Sequence, residues 1–182
     1  MEELSHVLAC AFREDPFHRW IFPKERAWAR GSSKSFALAL RGEVERGTVF
    51  TNGELEGAAI WREPGLGPLS LVEELRMGLP MLALLGIRSP LVLLGFKRLL
   101  ALHPKQPHWY LSVLGTHPEQ QGKGIGSALL QPVLDRCDES GDAAYLEASR
   151  AENVPYYERH GFEVIGEFEM PKGPTIWRML RS

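Results

Sequence analysis

Cysteine is scarce: Cys10 and Cys137 stand alone in 182 residues, at no metal-binding spacing. A disulfide scaffold is excluded, no metal is expected, and both thiols read as small core residues on helices in a reducing compartment. Neither sign of charge is in excess. Lys and Arg number 21 against 23 Asp and Glu, a net −2 that gives no electrostatic case for nucleic acid. Arg88, Lys97, Arg98 and Lys105 read as a solvated face. The apolar stretch 69–102 is interrupted at Arg88 and Pro90, so no run approaches the ~20 residues of a membrane span. Repeats, low-complexity segments and a signal peptide ahead of the first helix are also lacking, and a cytoplasmic protein is the expectation. The length fits a single domain over 1–182 with a real core.

Helical spacing is present from the start. Leu4, Val7, Leu8, Ala11 and Phe12 share one face until Asp15-Pro16 stops the helix. A second helical stretch is predicted over 25–46. Residues 48–51 and 55–62 read as a hairpin around Asn52-Gly53, a pair that tolerates positive φ. A turn-rich link over 64–68 leads into 69–102, which reads as two or three short helices packed on the domain. They would wall a substrate pocket or form a homodimer contact. Strands are predicted at 109–114, 143–148, 162–168 and 175–180. Between them lie a helix ending near Asp138 that Pro132 should kink, and a short helix over 153–160 closed by Gly161. A mixed α/β sheet is the result.

The segment most informative about function is His117-Pro-Glu-Gln-Gln-Gly-Lys-Gly-Ile-Gly-Ser-Ala-Leu-Leu130. Gly122, Gly124 and Gly126 leave backbone amides bare just before an apolar-periodic helix. Such an N-terminus is an anion site, because its first N–H groups lack intrahelical partners and the helix dipole adds positive potential. A phosphate-bearing ligand is therefore expected. Walker spacing fails, since Lys123 lies between glycines with no hydroxyl after it, and the dinucleotide fingerprint fails because its third glycine falls on Ser127.

Gln121-x-x-Gly124-x-Gly126 resembles the Gln/Arg-x-x-Gly-x-Gly/Ala signature of the GNAT superfamily, the acyl-CoA-dependent N-acetyltransferases. Asn153-Val-Pro-Tyr-Tyr157-Glu-Arg-His-Gly161-Phe162 resembles that superfamily's Asn…Tyr-x-x-x-Gly-Phe segment, in the right order and after a predicted strand. The likeness spans roughly 109–180. Leu146-Glu-Ala-Ser149, Tyr156-Tyr-Glu-Arg-His-Gly-Phe162 and Met170-Pro-Lys-Gly-Pro174 with Trp177 look like the puromycin N-acetyltransferase branch.

The resemblance implies a twisted, largely antiparallel sheet with a central splayed parallel strand pair, flanking helices, and acetyl-CoA as co-substrate. It places the pyrophosphate on the amides of Gln121, Gly122, Lys123, Gly124, Ile125, Gly126 and Ser127, and the pantetheine arm along Val113, Leu114 and Thr116. An amide near Leu114 would polarise the thioester carbonyl, and Gly115 suits a bulge that opens the sheet. Lys123 is a charge contact or a solvated lysine, and Asn153 a cofactor contact or a helix cap. Tyr157 matches the family's general acid, a phenol that stays protonated at neutral pH; read bare, it is a helix-to-core aromatic. Tyr156 points about 100° round the helix and cannot share that role.

Strand 109–114 lacks the acid that some members use as a base. Glu147 is the best substitute, through a water, or else a structural hydrogen-bonding group; His108, His117 and Glu63 are weaker candidates. Phe12, Asp15, Phe17, Trp20, Trp61 and the 69–102 helices are candidate acceptor-pocket walls. Superfamily members usually begin with a strand, whereas this chain starts in a helix, so the first edge strand is missing or lies upstream. Direct acetyl transfer to a primary amine of a small molecule is the leading expectation, with no cysteine in the motifs to carry the acyl group. A protein N-terminus or lysine as acceptor, and a CoA-binding sensor without turnover, are the alternatives.

Overall fold

The computed structural model describes residues 1–44, 48–65 and 71–182. Its first half holds α1 (Glu2–Ala11), α2 (Pro16–Ile21), α3 (Glu25–Val44), β1 (Val49–Thr51), β2 (Gly57–Arg62), α4 (Leu71–Leu85) and α5 (Ser89–Leu100). Then come β3 (His108–Thr116), α6 (Ile125–Ser140), β4 (Ala143–Ala148), α7 (Val154–Glu158), β5 (Glu163–Glu169) and β6 (Thr175–Arg181). The six strands form one sheet in the order β1-β2-β3-β4-β6-β5. Every pair is antiparallel except β3–β4, the expected parallel pair.

That parallel ladder is short. It joins His108–Leu111 to Ala143–Leu146 and stops, so residues 112–116 continue with β2 on one side and no strand on the other. A bulge lies next to the split: Ile60 opposes Val113 and Trp61 opposes Leu111, leaving Ser112 as the extra residue. Its hydroxyl donates to the Ile60 carbonyl at 3.1 Å. Side chains alternate faces along a strand, so one extra residue exchanges the faces beyond it. Trp109 and Leu111 pack with Ala59, Trp61 and α6, whereas Val113 packs with Ala58, Ile60, α1 and α3.

Gly115 is therefore not the bulge. It pairs in register with Ala58, and its role is close approach, since a methyl there would come within 2.9 Å of Leu8 and Phe12 on α1. The hairpin joining β1 and β2 also differs from expectation. Positive φ falls on Leu55 at 54° instead of on the Asn52-Gly53 pair, and Asn52 Oδ1 accepts from the Glu56 amide at 2.8 Å. α6 continues through Pro132. Residues 45–46, predicted helical, and the predicted turns and helix start over 66–70 lie outside the described residues.

The apolar segment is divided where the sequence places the interruption: α4 ends at Leu85, a 3-10 turn over Gly86–Arg88 has Gly86 at φ 54°, and α5 begins at Ser89 with Pro90 in its first turn. Counted through that turn, Gly78–Leu100 is 23 residues, long and apolar enough by length and composition to cross a membrane. The segment is tied to the domain: Arg88 Nη2 donates to the Trp20 carbonyl at 2.6 Å, and Leu85, Val92 and Leu99 are buried with Trp20, Phe22, Met170 and Ile176. Cys137 is buried in the α6 core, where desolvation raises its thiol pKa to about 11, while Cys10 is half-buried.

His18 is enclosed by aromatic rings, stacked on Phe36 at 4.7 Å and edge-on to Trp28 at 5.1 Å. Desolvation lowers its pKa to about 4. The unfolded chain binds this proton near pH 6.5, so folding stability falls as pH drops from 6.5 towards 4. The loss is about 2 kcal/mol by pH 5, at 1.36 kcal/mol per pH unit. Substitution by Phe should flatten the melting temperature between pH 7 and pH 5, measured by calorimetry against the parent chain.

Candidate active site

The open end of the β3–β4 pair feeds a groove of about 410 Å³. One wall is β3, through Leu114, Gly115 and Thr116, and the other is the turn before α6 with the face of α7. Gly122 and Gly124 hold left-handed φ values of 79° and 82°, which turns the chain into α6 with Gly124 as its N-terminal cap. No side chain caps that end, so the first amides of α6 are left for a ligand. Gln121 lines the groove and donates from Nε2 to the Thr116 carbonyl at 3.2 Å, bracing the turn against β3. Tyr156 comes so close to Gly126 that a methyl there would meet its hydroxyl at 2.9 Å. That hydroxyl is buried beside the Ser127 side chain, with no hydrogen-bond partner in good geometry among the described residues. Arg150 and Arg159 line the same groove.

On the opposite face of the sheet lies a chamber of about 450 Å³. Its floor is Tyr110, Ser112, Glu147 and Ile176, and its walls come from α2, α3, α4 and α5. Glu147 projects from β4 beside Tyr145, with Tyr110 donating to Oε2 at 2.8 Å and Tyr145 to Oε1 at 3.1 Å. His103 Nε2 sits 2.9 Å from Oε1, close enough for an ion pair but outside hydrogen-bond geometry.

A small cleft of about 70 Å³ joins groove and chamber beneath the split. Tyr157, Asn153 and Leu114 reach it from the groove, Glu147 and Ser149 from the chamber, and Phe12 and Asp15 line all three spaces. Asp15 caps α2, accepting from the His18 amide at 2.8 Å, and Ser149 donates to its other oxygen. Burial nonetheless holds its pKa above the usual carboxylate range, against the lowering effect of Ser149, the His18 amide and Arg150. Tyr157 is buried too. Desolvation, followed by the neighbouring Tyr156 and Asp15, pushes its phenol well up. The cleft thus holds a buried acid that keeps its proton and a carboxylate poised to take one.

The residues picked from sequence mostly converge. Leu114, Thr116, Gln121, Gly122, Gly124, Ile125, Gly126, Ser127, Asn153 and Tyr157 line the groove, and Val113 lies on the chamber and cleft side. Lys123 turns away to donate to Gln120, and the Asn153 side chain makes no cap hydrogen bond to α7. His108, His117 and Glu63 line none of these spaces. Among the supposed pocket walls, Phe12, Asp15 and Phe17 line the chamber, but Trp20 and Trp61 do not. Trp61 is turned to the α6 core by strand alternation, and Trp20 packs on Gly95 and Gly173. Sequence reasoning missed Arg150, Arg159, Tyr156 and the charge of Asp15. Tyr156 lies on α7 and Arg159, three residues on, is its C-cap, a spacing that already placed them together.

Residues 80–162 match the acetyltransferase (GNAT) family. A Schizosaccharomyces pombe protein described as an uncharacterized N-acetyltransferase is 30% identical over 172 residues, covering 88% of this chain and 70% of the relative. The chain belongs to the GNAT family. A Corynebacterium glutamicum structure described as histone acetyltransferase HPA2 and related acetyltransferase is 25% identical, with TM-score 0.61 over 98% of this chain and 88% of that one. A Pyrococcus horikoshii structure shares the fold at 12% identity, with TM-score 0.59 over 98% of this chain and 90% of that one. As a GNAT acetyltransferase this chain is an acyltransferase, and the family's acetyl donor is acetyl-CoA. The groove suits that donor's phosphates: it combines uncapped helix amides, the buried Tyr156 hydroxyl and two arginines.

Proposed function

We propose that this GNAT enzyme transfers an acetyl group from acetyl-CoA directly to the primary amine of a small molecule. The observation that carries the reading is the cleft beneath the β3–β4 split, where Asp15, Glu147 and Tyr157 meet between groove and chamber. The donor, when bound, supplies a thioester acetyl group and a thiolate leaving group. The chain's own groups do the rest. Residues 112–116 offer backbone groups without a β4 partner to an extended arm, and an amide near Leu114 polarises the carbonyl oxygen as charge develops there. Asp15 takes the ammonium proton and Glu147 holds the nitrogen. The neutral amine bonds to the carbonyl carbon as the C–S bond breaks, and Tyr157 gives its proton to the departing sulfur. The second proton lost by the nitrogen restores the Tyr157 phenol. Together α4 and α5 close the chamber side, which favours a small acceptor over a protein chain.

The finer likeness to the puromycin N-acetyltransferase branch belongs to the same proposal. It is supported by its three segments falling on functional walls: Glu147 and Ser149 line the cleft, Tyr156 and Arg159 the groove, and Met170 and Gly173 pack on Trp20 behind the chamber. The test is thermal stabilisation by acetyl-CoA, followed by thiol release over an amine panel that includes puromycin. Absence of any shift at saturating acetyl-CoA overturns the groove assignment. Gly126→Ala places a methyl 2.9 Å from the Tyr156 hydroxyl at the donor's proposed seat. It should raise the half-saturating acetyl-CoA concentration by roughly 10-fold, about 1.4 kcal/mol, as read from the same titration.

A further inference from the structure

The chamber holds three carboxylates, and they are not equivalent. Glu43 is neutralised by Arg62 Nε at 2.8 Å and accepts from the Thr48 hydroxyl at 3.2 Å. Asp15 and Glu147 have no Lys or Arg within ion-pair distance among the described residues, Glu147 having only His103 Nε2 at 2.9 Å, and both lie at the cleft end. Away from that end the α2, α4 and α5 walls are apolar, with the Glu43–Arg62 pair and Ser35 on the α3 side. Phe17 packs edge-on to Phe96 at 5.5 Å, and Phe36 with Leu93 continues the lining.

Resting on the acceptor reading of this chamber, we propose that the acceptor is a monoamine with an aromatic or similarly bulky apolar body. Its ammonium sits at Asp15 and Glu147, and its body lies among Phe17, Phe36, Leu93 and Phe96. Charge complementarity fixes the orientation, since the two carboxylates without a Lys or Arg partner, Asp15 and Glu147, lie at the end where Tyr157 stands. Selectivity follows from desolvation. An aminosugar would bury hydroxyls against phenyl and leucyl walls with no partner, and a polyamine would bury a second ammonium there. A cavity of about 450 Å³ is in the range that encloses a small ligand.

Thiol release at saturating acetyl-CoA should compare 2-phenylethylamine and tryptamine with glucosamine, spermidine and a lysine peptide. The expected result is a kcat/KM for the two aromatic amines about 10²-fold above the rest. Phe96→Ser alters a half-open wall position that tolerates a hydroxyl. It should lower that kcat/KM by roughly 10- to 100-fold and leave half-saturation by acetyl-CoA unchanged. If glucosamine, spermidine or the peptide equals the aromatic amines, the apolar-acceptor assignment falls while the transfer reading stands. Thermal stabilisation by tryptamine in the presence of CoA separates the remaining cases. Stabilisation without thiol release from any amine keeps this assignment and sinks the transfer reading. No stabilisation by tryptamine overturns the assignment itself.

Discussion

Tyr157→Phe is expected to lower kcat by about 10²- to 10³-fold while leaving half-saturation by acetyl-CoA within about 2-fold. The ring contributes packing and the hydroxyl contributes chemistry, and the substitution separates them. Phe keeps the edge-on contacts to Tyr156 at 5.1 Å and Phe162 at 6.1 Å, so the melting temperature should move by no more than about 2 °C. The pH profile adds a second reading. Burial, Tyr156 and Asp15 all favour the protonated phenol, so the parent enzyme should keep its acid above about pH 10, where an ordinary tyrosine ionises. An early alkaline decline that disappears in Tyr157→Phe would contradict the raised pKa. Unchanged kcat in that variant would remove Tyr157 from the mechanism.

The groove was legible in the sequence because its chemistry is local. Gly122, Gly124 and Gly126 are spaced for a left-handed turn into a helix, and Tyr157 lies one turn before Gly161, so neither needs a tertiary contact to be noticed. The mixed sheet followed from strand and helix patterns in the same way. The chamber was less legible because its parts are distant in the chain. Ser149 donates to Asp15 across 134 positions, and from sequence alone Asp15-Pro16 read as a helix stop and a supposed pocket wall. Asp15 does line the chamber, and it also reaches the cleft and the groove. Trp61 shows the complementary error. Its size suggested a pocket wall, but β2 alternation sends Ala59 and Trp61 to the α6 core and leaves Ile60 on the chamber side. The exchange of faces in β3 depends on Ser112, an ordinary strand residue until it is set against Ile60 and Trp61. Gly115 attracted attention as the more usual bulge residue, yet its lack of a side chain serves the passage of α1.

Asp15→Asn should lower kcat/KM by about 10²- to 10³-fold and remove the acid limb of its pH profile. The carboxylate must be ionised to take the ammonium proton, and burial holds its pKa above the usual range. The parent's acid limb therefore lies above about pH 3.9, and activity falls as pH drops through it. Asn retains the fold: its oxygen can still accept from the His18 amide, and its amide can donate to the Ser149 hydroxyl. Linkage then gives a result that a merely structural residue would not. A carboxyl whose folded pKa is raised contributes fully below its unfolded pKa and loses that contribution as pH rises through the folded value. At pH 7 the ionised Asp15 thus weakens the fold, and the Asn variant should melt at or above the parent while losing activity. Glu147→Gln is the control within the same cleft. Both Glu147 oxygens already accept tyrosine hydroxyls, so its loss should act mainly on acceptor KM, by about 10-fold. If Glu147→Gln abolishes the acid limb and Asp15→Asn preserves it, the proton acceptor is Glu147 and Asp15 only orients the amine.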